Sequence, residues 1–331
     1  MKEKEIIIGI DVSKTTLDLC VINSSDITHH KINNSRKAIT AFFNKLHKQR
    51  AEANIVVGME NTGYYNWPTY DVLSKFDVEL FVINPIHLKR SIGLTRGKND
   101  KIDALRIAKY IAIHKSSITS SLIARMQIRE IQALVAHRKR LIEAKTKLNV
   151  PANELSFLGD KDISHKVKKS SAKVILELEK QIKLIEDDIQ KIINNDSQLK
   201  EIFQYMTSVQ GVGKVLAWNM IIKTNEFKSI NNPRKLACYS GVVPFDYQSG
   251  SSIYQKPRVS FMADKSLKKL LHMAAMSAIR VRGDLQNYYQ RKITEGKNKM
   301  LVLNAIRNKI VGRICAVVNA KKMYQPNLVL P

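Results

Sequence analysis

Apolar residues along this chain follow three different rhythms, and each predicts a different kind of element. Residues 1–118 carry short apolar runs separated by turn residues. Ile6–Asp11 is unbroken and apolar until its last residue, the pattern of a strand buried on both faces. Leu17–Ile22 alternates, Thr28–Ile32 extends a third strand, and Val12–Thr16 turns between the first two. Ser35 is placed to cap a helix whose apolar face is Ile39, Phe42, Phe43 and Leu46. Asn54–Glu60 is a second buried strand, followed by a helix near Trp67–Phe76 and a strand at Val78–Ile83 that Asn84-Pro85 stops. A basic loop with Lys89, Arg90, Arg96 and Lys98 then leads to a helix starting at Asn99 or Asp100 and running through Ile111.

The second rhythm covers residues 119–206. Ile175, Leu178, Ile182, Ile185, Ile189 and Ile192 recur in steps of three and four, and the seam resumes at Leu199, Phe203 and Met206. An earlier helix, Ile123–Leu148, carries a weaker seam at Ile131, Leu134, Leu141 and Leu148. Pro151 and the stretch to Ser164 are expected to separate the two. The prediction is a helical hairpin or coiled-coil spacer that dimerises, with a hairpin folded onto its own chain as the alternative. The third rhythm, residues 207–331, is mainly helical. It has a Gly-x-Gly turn at Gly211 and Gly213, a short helix at Arg234–Tyr239 and a polar loop at Tyr247–Ser252. Its apolar helices are Leu267–Val281 and Met300–Val318.

The first two buried strands both end in an acid, and a carboxylate at the edge of a dry strand needs a task or a partner. Three antiparallel strands followed by strand–helix units is the ribonuclease-H-like order. On it, Asp11 and Glu60 end central strands, while Asp100 and Asp103 lie three apart on one helix face. Such a set suits phosphodiester chemistry with one or two Mg²⁺ ions, because hard cations take carboxylate oxygens. No His belongs to the set, which favours Mg²⁺ over Zn²⁺. Taken singly, Asp100 serves equally well as a helix cap and Asp103 as a partner for Arg106. Gly9–Thr16 also has the look of a phosphate loop in actin-like ATPases, but Val12 and Ser13 stand where a glycine is wanted and no later Asp-x-Gly-Gly follows.

Composition points the same way. The chain has 55 Lys+Arg against 29 Asp+Glu, a net charge of +26, with 44% apolar residues. That much self-repulsion calls for a polyanionic partner, and nucleic acid is the expectation. No run is long enough to span a bilayer, and Met1–Lys4 leads into a strand with no signal peptide expected, so the expected location is the cytoplasm. Cys20, Cys238 and Cys315 are scattered, with no metal or redox spacing. Lys14, Arg96, Lys98, Gly211, Gly213, Lys214, Lys256 and Arg258 are the candidate nucleic-acid contacts. Ser249, between Gln248 and Gly250, has the local freedom to present its hydroxyl to a phosphate, although Ser-Gly-Ser-Ser reads first as a solvated loop.

Several motifs together carry a family likeness: Ile8–Lys14, Met59–Tyr65, Val82–Pro85, Lys98–Ala104, Val209–Gly213, Tyr239–Pro244 and Tyr247–Gly250. On these the chain resembles the DEDD transposases of bacterial insertion sequences, which include the Piv-type DNA invertases and the bridge-RNA-guided recombinases. The resemblance covers nearly the whole chain. It implies a RuvC-like domain over residues 1–118, a coiled-coil spacer over 119–206 and a C-terminal transposase domain over 207–331. By position it implies that Asp11, Glu60, Asp100 and Asp103 are the acidic tetrad and Ser249 the serine nucleophile. It further implies donor and target double-stranded DNA, a guide RNA, and a homodimer or homotetramer. Where family members usually carry Lys and Gly after the serine, this chain has Phe261 and Ala263. A RuvC-like structure-specific nuclease, or an invertase without RNA guide, is the alternative.

Overall fold

The computed structural model describes residues 5–24, 26–49, 53–91, 99–249 and 253–325. The chain divides into two compact units, Met1–Ile123 and Ala124–Pro331.

Unit 1 is built on five strands: β1 (Glu5–Val12), β2 (Thr16–Asn23), β3 (Asp26–Asn33), β4 (Asn54–Glu60) and β5 (Glu79–Ile83). They order as β3-β2-β1-β4-β5 in one sheet. β1 is antiparallel to β2 and β2 to β3, whereas β1, β4 and β5 run parallel. This is the ribonuclease-H-like sheet that the order of elements predicts. Helices α1 (Arg36–Gln49) and α2 (Trp67–Leu73) cover one face, and α4 (Asp100–His114) covers the other. Strand alternation divides the side chains accordingly. Ile6, Ile8 and Ile10 of β1 pack with α1 residues Ile39 and Phe43, while Ile7, with Val56 of β4, packs with Ala104, Ile107, Ala108 and Ile111 of α4.

Residues 84–91 differ from expectation. Asn84-Pro85 ends β5 at Ile83 as expected, but it also starts a helix, α3 (Pro85–Ser91), so Lys89 and Arg90 are helical and not in a loop. Proline suits a first helical position because its missing N–H is unneeded there, and the Asn84 side chain accepts from the Ile86 amide at 3.0 Å.

Unit 2 pairs the long helices α5 (Met126–Phe157) and α6 (Lys161–Asn194), then adds α7 (Ser197–Ser208), α8 (Lys214–Thr224) and α9 (Pro233–Tyr239). A hairpin of β6 (Pro244–Ser249) and β7 (Ile253–Val259) follows, and α10 (Lys265–Ala278), α11 (Asp284–Thr294) and α12 (Lys299–Ala320) complete it. One core runs from Ile128 of α5 through Trp218 of α8 to Val317 of α12. The predicted seam is used within the chain. Ile185 and Ile189 are buried in this core together with Ile193, and the expected Ile192 packs half-buried against it. Pro151 does not end α5. It stands within two turns of the helix end, and the residue whose carbonyl it leaves without a donor, Lys147, is exposed. The break falls instead at Gly159, whose φ of +96° favours glycine. Tyr247–Ser249, expected in an irregular loop, belong to β6, which pairs with β7 from Pro244↔Val259 to Ser249↔Ile253. Among the described residues no helix is long and apolar enough to cross a membrane.

Candidate active site

The acids of unit 1 meet because of alternation on three neighbouring strands. Asp11 lies two and four residues beyond Gly9 and Ile7, so it shares their α4-facing side of the sheet. Glu60 stands in the same relation to Gly58 and Val56 on β4. The helix adds its own pair. Its buried stripe is Ala104, Ile107, Ala108 and Ile111, and Asp100 and Asp103 lie four residues before the first two of these. The stripe packs on the sheet while its first turn carries carboxylates. Asn99 caps that turn, accepting from the Lys101 amide at 3.1 Å, so Asp100 is not the cap. The positive end of the helix dipole favours acids at this turn.

Two glycines set the spacing. A Cβ on Gly9 would lie 2.1 Å from the Ala104 carbonyl oxygen and 2.4 Å from the Ala108 nitrogen. A Cβ on Gly58, paired in register with Gly9, would lie 2.4 Å from Ile111 Cγ1. Both strands carry Gly-x-acid, at the end of β4 and one residue before the end of β1, and the glycine lets α4 press onto the sheet two residues before each carboxylate.

The electrostatic result falls on Asp11. Burial, then the charges of Asp100, Asp103, Glu60 and Asp18, push its carboxyl up to about 6. Asp18 is a residue the sequence reading missed. It stands opposite Asp11 on β2, is 5% exposed and pairs across strands with Lys31 at 3.2 Å. Its signal was alternation, which puts it on the α4 side with Cys20. Asp103 accepts from Arg106 at 2.8 Å, as its spacing had also allowed. Asn66 was missed too. It is fully buried, donates to the Glu60 carbonyl at 2.9 Å and accepts from Thr62, fixing the end of β4. A lone Asn after Gly63 gives no pattern that would single it out.

Four carboxylates around one raised pKa form a donor set of hard oxygens with unbalanced negative charge, which fits a divalent cation of the Mg²⁺ type. Among the described residues, no trio of His, Cys, Asp or Glu is arranged to hold an ion as it stands.

The remaining predicted residues are distributed as follows. Ser249 ends β6 in unit 2, paired with Ile253. Lys14 is exposed in the β1–β2 turn, and Arg258 is exposed on β7. Lys256 also lies on β7. Gly211 has φ +87° and sits where a Cβ would lie 2.4 Å from the Ala274 carbonyl oxygen, so helix packing accounts for it. Gly213 caps α8, and Lys214 is held by Glu186 at 2.5 Å. Phe261 is 67% exposed, and Ala263 lies against Gly241. Arg96 and Lys98 lie outside the described residues.

Comparison with known proteins gives matches along both units. A family model for DEDD transposases of the IS110 type, described as "Transposase", matches residues 8–154. A second, described as "Transposase IS116/IS110/IS902 family", matches residues 204–290. The pilin gene-inverting protein of Moraxella bovis is 23% identical over 97% of this chain and 98% of its own length. An uncharacterized 44.8 kDa protein of insertion element IS116 from Streptomyces clavuligerus is 23% identical over 48% of this chain and 40% of its own. The solved structure "T. thermophilus RuvC in complex with Holliday junction substrate" aligns with 36% of this chain and 99% of that chain, at 14% identity and a TM-score of 0.28.

Proposed function

The chain belongs to the IS110-type family of transposases, and on that premise we propose that it cuts and rejoins DNA strands with an acidic tetrad and a serine nucleophile. The tetrad is Asp11, Glu60, Asp100 and Asp103, and the nucleophile is Ser249. The observation that carries the reading is the convergence of four carboxylates on one side of the sheet, with Asp11 raised to about 6.

The acids would hold Mg²⁺, which when bound supplies Lewis-acid stabilisation of charge on phosphate oxygens. The chain's own residues do the rest. Gly9 and Gly58 keep the acids within reach of one another, and Asn66 fixes the end of β4 beside Glu60. In the metal-free chain Asp11 is the carboxyl raised to about 6, the mark of negative charge that a divalent cation would offset. The Ser249 oxygen attacks the scissile phosphorus. A Ser–O–P bond forms, the bond from phosphorus to the 3′ oxygen breaks, and the serine proton ends on that 3′ hydroxyl. The freed 3′ hydroxyl attacks a second phosphoserine link, which restores the serine and exchanges strands without net hydrolysis.

The substrates of this reading are donor and target double-stranded DNA, with an element-encoded guide RNA and a homodimer or homotetramer as the working assembly. A net charge of +26 supports a chain that holds much nucleic acid. Two substitutions test the proposal. Asp11→Asn should abolish Mg²⁺-dependent cleavage. Ser249→Ala should abolish both the covalent protein–DNA adduct and strand exchange. Strand exchange retained by Ser249→Ala would sink the proposal, and cleavage by water retained in that variant would favour a RuvC-like nuclease.

A further inference from the structure

Among the described residues, unit 2 buries a cation with no carboxylate to match it. Arg307 lies on α12 and is 5% exposed. Its Nη1 donates to Asn304 Oδ1 at 3.3 Å, and its Nη2 lies 3.0 Å from His272 Nδ1 on α10. A guanidinium has only donors, so His272 Nδ1 accepts and the imidazole is neutral, with its proton on Nε2. Asn304 is oriented in turn by donating to the Val242 carbonyl at 2.8 Å. Two of the five guanidinium N–H groups are thereby spent, and Nε, fully shielded, has no partner.

Every Asp and Glu of unit 2 lies among the described residues, and none pairs with Arg307. Burial lowers its pKa, and no acid acts on it to offset that. An arginine nevertheless stays charged, and a buried charge without a counter-ion is costly. The contrast with Arg125 is direct. Arg125 has Glu226 and Asp196 as partners, and its pKa is raised, by the Glu226 hydrogen bond first. Lys268 is one turn before His272 on α10, and its Cδ lies 3.5 Å from the Cβ position of Gly241, beside Val242. Val242 stands two residues before β6, the strand that ends at Ser249.

We infer that Arg307, with His272 and Lys268, forms an oxyanion site at the base of the β6–β7 hairpin that takes a backbone phosphate of bound nucleic acid. The oxyanion chemistry stands on the unmatched guanidinium alone. Assigning it to a nucleic-acid backbone rests on the proposed function above. The site would grip the substrate strand near the hairpin without taking part in bond breaking.

The test is thermal unfolding of the full chain in potassium phosphate against potassium chloride at equal ionic strength, together with duplex DNA binding across a salt series. For the unaltered protein, inorganic phosphate should raise Tm above the chloride value. Arg307→Met should melt no lower than the unaltered protein in chloride and should lose the phosphate-specific rise. It should bind duplex DNA about tenfold more weakly, with a log–log salt slope smaller by about one. A phosphate response retained in Arg307→Met overturns the site. DNA affinity and salt slope unchanged in Arg307→Met, despite loss of the phosphate response, overturn the backbone assignment. If Arg307→Met does not fold, crystals of the unaltered protein soaked in tungstate decide. An anomalous peak within hydrogen-bond distance of the Arg307 guanidinium supports the site, and its absence overturns it. Asp11→Asn and Ser249→Ala should keep the full phosphate response, so failure of the catalytic reading is separable from failure of this one.

Discussion

The proton on Asp11 is the residue-scale quantity most open to measurement. Its carboxyl titrates at about 6 in the folded chain against a reference value of 3.8. The folded state therefore binds more protons than the unfolded state between those values, and stability falls as pH rises from about 4 to about 6. The full shift corresponds to about 3 kcal/mol, and solvent screening of this half-buried group brings the expected loss to about 1–2 kcal/mol. Urea unfolding of the metal-free protein at pH 4.5 and pH 7 should show that loss, and Asp11→Asn should remove most of it. Adding Mg²⁺ at pH 7 should restore stability to the parent chain and not to the variant. An unchanged pH profile in Asp11→Asn would mean that the repulsion lies elsewhere. Asp11, Glu60, Asp100 and Asp103 were legible in the sequence because two end apolar strands and two share a helix face. Asp18 had only strand alternation to place its side, and Asn66 had no pattern at all, because a polar residue's role shows only when its neighbours are known.

At the scale of elements, the docking of α4 on the sheet decides whether there is a site at all. Gly9→Ala would place a methyl 2.1 Å from the Ala104 carbonyl oxygen, where backbone and not a flexible side chain must move. The expected cost is about 1–3 kcal/mol by equilibrium unfolding. Loss of DNA cleavage should exceed what that destabilisation explains, since Asp100 and Asp103 move with the helix. Gly213→Ala, with nothing near its Cβ and φ of −97°, should fold normally. In unit 2 the start of α5 depends on Arg125, which neutralises Asp196 and a Glu226 side chain of 0% exposure. Arg125→Ala leaves Glu226 with Lys228 alone, at 2.7 Å, and removes the cation from Asp196; it should cost about 1–3 kcal/mol, read as a fall in Tm, whereas surface Lys191→Ala should be nearly neutral. The periodicity of α6 disclosed its buried seam, because a seam is a property of spacing. It did not disclose which helix fills the groove, nor that Pro151 is tolerated near a helix end.

For the whole molecule the governing number is the net charge of +26. DNA affinity should fall steeply with salt, by a factor on the order of 10³ or more between 50 mM and 200 mM if about six phosphates are neutralised. Asp11→Asn should bind at least as tightly as the parent chain, because it removes a negative charge without touching a basic residue. A salt-independent affinity, measured by fluorescence anisotropy, would contradict the electrostatic picture. The excess of lysine and arginine is visible in composition, but composition does not say which cations are free. Lys214, expected to be available for a phosphate, is held by Glu186, while Arg307, which no motif marked, has no acid partner among the described residues.

The sequence by itself determined the order of strands in unit 1 and of its helices other than α3, the acids near strand ends and the polyanion-seeking charge. All of these are written in local spacing and composition. Only the tertiary structure decided that Gly9 and Gly58 bring α4 close, that Asp18 joins the acids, and that Tyr247–Ser249 belong to a hairpin strand and not to a loop. It also decided that a buried guanidinium stands without a counter-charge. The physical reason is common to all four. Repulsion, burial and strand pairing are set by groups distant in sequence, and their strength depends on distances that no local pattern fixes.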